Sequence, residues 1–98
     1  MLTMQFTGQI WYWRGPAPWY FVSVPRKHSL ALRAMASVLT YGWGVIPVTA
    51  RIRDTAWTTS LFPKDELYAL PIRTGVRKAE RLDEGTRVRI ELSTGEPR

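Results

Sequence analysis

The sequence contains no cysteine and only one histidine, His28. A chain without thiols has no disulfide, no thiolate metal site and no cysteine nucleophile. His28 stands beside Arg26 and Lys27 at a predicted helix start, where we expect a solvated surface role rather than catalysis or metal binding. We therefore expect no metal site and no cofactor, and the lack of cysteine favours a cytoplasmic protein.

The residue patterns of common catalytic sites are also missing. Asp65 and Glu66 are adjacent, as are Asp83 and Glu84, and both pairs fit turns better than a catalytic acid and base. Ser60 lies in Thr-Thr-Ser-Leu, without the glycine elbow that surrounds a hydrolase nucleophile. The sequence therefore predicts a protein that is not an enzyme and has no catalytic residues.

No apolar run approaches the roughly 20 residues that a membrane-spanning helix needs. The longest one, residues 10–24, is interrupted by Arg14, Gly15, Pro16 and Pro18, and is predicted to form a hairpin. The chain does not open with the charged and then apolar segments of a signal peptide. These features predict no membrane contact.

Basic residues and large aromatic rings are abundant. Fourteen Lys and Arg stand against eight Asp and Glu, which gives a net charge of +6. Such a charge favours contact with polyanions, although it also suits plain solubility. Five Trp, four Tyr and three Phe are more rings than one small core needs, so we expect some of them on an outer surface that marks an interface.

The first 24 residues are predicted to form an antiparallel hairpin. Residues 2–13 alternate between two faces, residues 14–18 make the turn, and residues 19–24 return as the second strand. The outer face of this hairpin would carry an aromatic interaction patch made of Trp11, Trp13, Trp19 and Phe21. The patch could meet its own copy in a homodimer, or it could be covered within the monomer.

The rest of the chain is predicted to add two helices and four strands. The helices are placed at residues 25–40 and 73–81, and the strands at residues 45–53, 56–61, 67–72 and 86–92. Residues 62–66 are predicted to be a turn. The expected fold is mainly β, a small six-stranded barrel in residues 1–92 capped by two short helices, with a mobile polar tail in residues 93–98. Strand and helix periodicity predicts a core of Phe6, Ile10, Val22, Val24, Met35, Val48, Ile52, Leu70, Ile72, Val88 and Ile90.

The second helix carries a stripe of positive charge. Arg73, Arg77 and Arg81 recur at intervals of four residues, and Lys78 lies beside them. This stripe is either a solvated outer face or a polyanion-binding face. If nucleic acid binds, these side chains would contact phosphates together with outward-facing Arg51, Arg53, Arg87 and Arg89.

Several motifs together resemble a known family. They are Trp19-Tyr-Phe-Val-Ser-Val-Pro, Val48-Thr-Ala-Arg-Ile, Thr59-Ser-Leu-Phe-Pro, Tyr68-Ala-Leu-Pro-Ile, Val76-Arg-Lys-Ala and Glu84-Gly-Thr-Arg-Val-Arg-Ile-Glu-Leu. In this combination they resemble the small bacterial family called domain of unknown function nineteen-oh-five. The resemblance implies a double-split β-barrel, similar to the swapped-hairpin proteins AbrB and MazE. Two turns depart from the family pattern: Gly85-Thr86 replaces Gly-Asp, and no Asn-Gly occurs near Arg53.

The family offers no catalytic or binding residues to transfer, so the resemblance implies a fold and leaves the function open. Two classes of function stand. One is a non-catalytic binding or interaction module that uses the aromatic first hairpin. The other is an AbrB-like, regulatory nucleic-acid-binding domain that uses the basic second helix.

Overall fold

Six antiparallel strands close into a barrel in the computed structural model, which describes residues 2–36 and 44–94. Around the barrel the strands follow the order β1-β2-β5-β4-β3-β6. Their bounds are β1 Thr3–Trp13, β2 Trp19–Val24, β3 Ile46–Ile52, β4 Thr55–Lys64, β5 Leu67–Pro71 and β6 Arg87–Thr94. Helix α1 (Arg26–Ala34) follows β2, and helix α2 (Thr74–Glu80) follows β5. The predicted mainly-β barrel with two short helices is confirmed.

Two long strands join the two halves of the barrel. β1 pairs with β6 through residues 3–9 and with β2 through residues 10–13. β4 pairs with β3 through residues 55–61 and with β5 through residues 62–64. As a result, β3 and β6 form the centre of one half of the barrel, while β2 and β5 form the centre of the other.

Gly8 lies two residues before Ile10, where β1 begins to pair with β2 instead of β6. A Cβ atom at this position would lie 2.7 Å from Cγ1 of Val22, well inside van der Waals contact. Only a residue without a side chain therefore lets β1 approach β2 this closely, as is common for glycine in strands.

The barrel interior contains ten of the eleven predicted core residues, each of them buried. Met35 is the exception, since it is 40% exposed and its prediction as a core residue was wrong. The reason is the length of α1, which ends at Ala34, so that only Ser29 and Leu32 of this helix are buried and Met35 lies past its last turn. Residues 37–40, the predicted end of this helix, lie outside the described residues.

The predicted turn at residues 62–66 was also wrong. β4 continues through Phe62 and Pro63 to Lys64, and only Asp65 and Glu66 connect it to β5. Both connecting residues have positive φ, 52° and 69°, which matches the twist of a two-residue hairpin loop. At the other end of the chain, β6 extends two residues further than predicted, to Thr94, and residues 95–98 lie outside the described part.

Glu80 at the end of α2 ties this helix to the β3–β4 turn. Its carboxylate accepts a hydrogen bond of 2.6 Å from the hydroxyl of Thr55 and forms an ion pair of 3.2 Å with Arg53. The hydrogen bond from Thr55 and the neighbouring guanidinium of Arg53 hold the pKa of Glu80 below its ordinary value.

Because the pKa of Glu80 is lower in the folded chain, its contribution to the free energy of unfolding is present at neutral pH. The contribution is lost as the pH falls through the ordinary carboxyl range toward the lowered pKa. Replacing Glu80 by Gln is expected to flatten this loss, as measured by urea unfolding at neutral pH and at about pH 3.5. E84Q is the matched control: the hydrogen bond from Arg14 also lowers the pKa of Glu84, but this side chain is 49% exposed against 11% for Glu80, so water screens its interaction and we expect less flattening. Equal flattening in both variants would argue against a special role for Glu80.

Candidate functional site

Four aromatic residues of the first hairpin share one face of the β1–β2 ladder, namely Trp11, Trp13, Trp19 and Phe21. Trp11 pairs with Phe21 and Trp13 pairs with Trp19 across the β1–β2 ladder. The rings of Trp11 and Phe21 stack with their centres 5.1 Å apart. The indole nitrogen of Trp11 donates a hydrogen bond of 3.0 Å to the hydroxyl of Ser23, so its polar atom is satisfied within the hairpin.

The end of β4 enlarges this surface and creates a groove beside it. Phe62 lies opposite Ala69 of β5, and its ring is 45% exposed. The groove has a volume of about 280 Å³. We call it the aromatic groove and define it by its lining, Trp13, Ala17, Phe21, Phe62, Pro63, Lys64 and Ala69.

Two residues of the predicted aromatic patch, Trp13 and Phe21, line the aromatic groove, and the other two lie beside it. Trp11 stacks on Phe21, and Trp19, which is 39% exposed, lies across the ladder from Trp13. Phe62 was missed because residues 62–66 were predicted to be a turn. Continuing the alternation of β4 past Leu61, a buried residue, would have placed Phe62 on the outside.

Trp13 is held in a fixed position at one end of the aromatic groove. Its indole nitrogen donates a hydrogen bond of 3.0 Å to the carbonyl of Pro16. Gly15 packs so closely on the ring that a Cβ atom there would lie 2.6 Å from Cζ2. The ammonium of Lys64 lies 4.4 Å from the ring centre, a cation–π contact. Aromatic side chains fixed in advance lose little entropy on binding, and they are typical anchors of protein interfaces.

The basic residues predicted on the second helix do not form one free stripe. Arg77 is the least available, because its guanidinium carbon lies 3.6 Å from the centre of the Tyr20 ring. Its side chain is only 21% exposed, and its Nη2 atom lies 3.6 Å from the carboxylate of Asp83. Arg73 precedes α2 and donates a hydrogen bond of 2.7 Å to the carbonyl of Thr58.

Lys78 and Arg81 are exposed, and Arg81 ends α2 in the left-handed conformation with φ of 56°. Arg81 therefore no longer follows the helical spacing that would align it with Arg77. Phosphate binding by α2 stays a prediction, for which exposed Arg73, Lys78 and Arg81 are the available side chains.

Within residues 2–36 and 44–94, no group of three or more His, Asp or Glu side chains is arranged to hold a metal ion. Neither α1 nor α2, the helices of the described residues, has the length and apolarity needed to cross a membrane.

A closed six-stranded barrel with two short helices and an outer aromatic groove defines a small mainly-β domain. Residues 6–92 match the model of the family described as Domain of unknown function (DUF1905), so the chain belongs to that family. The family resemblance drawn from the motifs is thereby confirmed. No curated protein matches the sequence. The family description names no activity, and an argument about function has to start from the surfaces of the barrel.

Proposed function

We propose that this domain is a non-catalytic interaction module that associates with a second copy of itself through the aromatic groove. The observation that carries the proposal is the groove itself, an apolar recess whose rim includes the exposed ring of Phe62. Exposed apolar surface of this kind, concentrated in one place, is typical of interaction sites.

A recess and a protruding ring on the same surface suit a two-fold interface. In such an interface each copy offers the same patch, so the patch has to be complementary to itself. Phe62 and Trp19 supply exposed rings, while the space between Trp13, Phe21 and Ala69 supplies the recess. Each ring of one copy can therefore be covered by the recess of the other.

The distribution of charge favours the same occupant. Lys64 is the only charged residue of the aromatic groove, and its ammonium lies 3.8 Å from the carboxylate of Asp65. The arginines of β3 and β6 lie in the other half of the barrel, separated from β2 and β5 by β1 and β4. Two chains of net charge +6 can therefore meet at this surface while those arginines stay far apart.

Sedimentation velocity across micromolar concentrations tests the proposal. We expect a monomer–dimer equilibrium that changes little with salt, because the contact is apolar. The F62S variant is expected to weaken the dimer by a factor of about 30, the usual effect of removing an interface anchor. L30S is the matched control, since Leu30 is 51% exposed on α1 and outside the groove. A strictly monomeric chain, or equal loss in L30S, would refute the proposal.

The alternative function is a regulatory, AbrB-like nucleic-acid-binding domain that uses α2. It is supported by the net charge and by the exposure of Arg73, Lys78 and Arg81. Binding of this kind would weaken steeply with salt, which distinguishes it from self-association through the aromatic groove.

A further inference from the structure

A second groove lies in the other half of the barrel, along β3 and β6, with a volume of about 320 Å³. We call it the arginine groove, because its lining contains four arginines, Arg51, Arg53, Arg87 and Arg89. Glu91 is the only carboxylate in this lining. The groove therefore collects a large share of the positive charge of the chain into one place.

The strand register explains why these residues meet. Arg51 of β3 lies directly opposite Glu91 of β6, and Arg87 and Arg89 alternate with buried residues on β6. Arg53 follows in the turn after β3, where its φ is 52°. All four arginines are exposed, so their guanidinium groups are open to a ligand from solvent.

Two of the four guanidinium groups are already held in position by neighbouring residues. Arg89 donates a hydrogen bond to the side-chain oxygen of Gln5 on β1. Arg53 donates bonds of 3.2 Å to the carbonyl and to the carboxylate of Glu80. Such contacts reduce the entropy that a ligand would have to remove on binding.

The other two arginines, Arg51 and Arg87, form no ion pair in the described part of the chain. No carboxylate of residues 2–36 and 44–94 lies within 4.0 Å of the guanidinium of Arg51 or Arg87. The carboxylate of Glu80 balances the charge of Arg53, so Glu91 is the one carboxylate of the lining left to balance the other three arginines. Those three guanidinium groups repel one another, and an anion placed among them reduces this repulsion. The planar fork of arginine fits the oxygens of a phosphate, which it binds through two parallel hydrogen bonds.

We propose that the arginine groove is a binding site for phosphate groups, with Arg51 and Arg87 as its free ligands and Arg53 and Arg89 as its oriented ones. The phosphates would come either from a free polyphosphate or from the backbone of a nucleic acid. The site lies in the other half of the barrel from the aromatic groove, and it adjoins the end of α2 through the bonds from Arg53 to Glu80. It stands or falls independently of self-association.

The test uses the full chain at low salt with two probes, a fluorescently labelled single-stranded oligonucleotide and inorganic tripolyphosphate. Anisotropy is expected to show oligonucleotide binding that the double variant R51Q/R87Q weakens at least about tenfold, since each lost charged contact has a large effect. The slope of log K against log salt should fall by about 1.4 for the single strand, two contacts of about 0.7 each. Displacement of the oligonucleotide by equimolar tripolyphosphate assigns the site to small polyphosphates, and resistance to displacement assigns it to the nucleic-acid backbone.

The matched control is R73Q/K78Q, which removes the charges of Lys78 on α2 and of Arg73 directly before it, and leaves the arginine groove intact. We expect this variant to keep most of the affinity and most of the salt slope. Equal weakening in both double variants would overturn the proposal, because the effect would then follow net charge or α2 rather than the groove. If neither probe binds the wild-type chain at low salt, the proposal is overturned as well.

Discussion

Replacing Leu70 by alanine is expected to lower the free energy of unfolding by about 2–5 kcal/mol. Leu70 is fully buried in β5 and pairs with Val22 of β2, at the centre of one half of the barrel. The substitution removes three carbon atoms from a packed interior and leaves a cavity that its neighbours fill only in part. Urea unfolding followed by circular dichroism measures the change.

Met35→Ala is the matched control for Leu70→Ala. Met35 has a side chain of similar size and was predicted in the same core, yet it is 40% exposed. We expect its substitution to change stability by no more than about 0.5 kcal/mol, the usual range for surface positions. A loss below about 1 kcal/mol for Leu70→Ala would contradict the strand register, because a slip of one residue exchanges the inner and outer faces.

The alternation of apolar residues was enough to predict most of the core, since it is a local property of each strand. Phe6 and Ile10 on β1, or Val88 and Ile90 on β6, face inward wherever their strand is placed. Met35 could not be assigned in the same way. Its burial depends on where α1 ends, and neither a glycine nor a proline marks that end after Ala34.

The aromatic groove was only half predictable, because it is made by strands that are distant in sequence. The pair of Trp11 and Phe21 lies within one hairpin, and the strand alternation predicted that both residues share its outer face. The contribution of Phe62 depends on β4 running past Pro63 to pair with β5, and a proline and two acidic residues favoured a turn instead. Asp65 and Glu66 form a two-residue loop with positive φ values, and the local sequence did not indicate this loop because it contains no glycine.

The positions of the arginines were likewise only partly predictable from their spacing in the sequence. A spacing of four residues placed Arg73, Arg77 and Arg81 on one face of an ideal helix. The helix observed is seven residues long, so that Arg73 precedes it and Arg81 ends it. Arg77 instead stacks on Tyr20 of β2, a contact between distant parts of the chain. The denser group of arginines comes from β3 and β6, which pair directly although they are distant in sequence.

The order of strands in the barrel also separates the aromatic groove from the arginine groove. β1 contributes its polar residues to the half that contains β6 and its tryptophans to the half that contains β2, because it changes partner after Gln9. One strand thus supplies both an aromatic and a polar surface. If both proposals hold, a ligand in the arginine groove and a second copy at the aromatic groove would occupy different halves of the barrel.

Replacing Ser29 by alanine is expected to lower the free energy of unfolding by about 1–3 kcal/mol, a large effect for the loss of one oxygen atom. The Ser29 hydroxyl is buried at the junction of α1, β2 and β5. It donates a hydrogen bond of 2.9 Å to the carbonyl of Val24 and accepts one of 3.0 Å from the amide of Tyr68. Val24 and Tyr68 form a pair in the β2–β5 ladder, so one hydroxyl satisfies a backbone group of each.

Alanine at this position leaves a buried donor and a buried acceptor without partners, and the cost of removing both from water then remains uncompensated. Ser23→Ala is the matched control, because the Ser23 hydroxyl accepts a bond from the Trp11 indole at a half-buried site. Water can replace that partner, so we expect a loss of about 0.5–1 kcal/mol. Hydrogen exchange adds a local measurement. Between wild type and S29A, the exchange rate of the Tyr68 amide should rise more than the rates of the neighbouring β5 amides. Equal stability of the two serine variants, with an unchanged Tyr68 amide, would show that the hydroxyl does not hold α1 on the barrel.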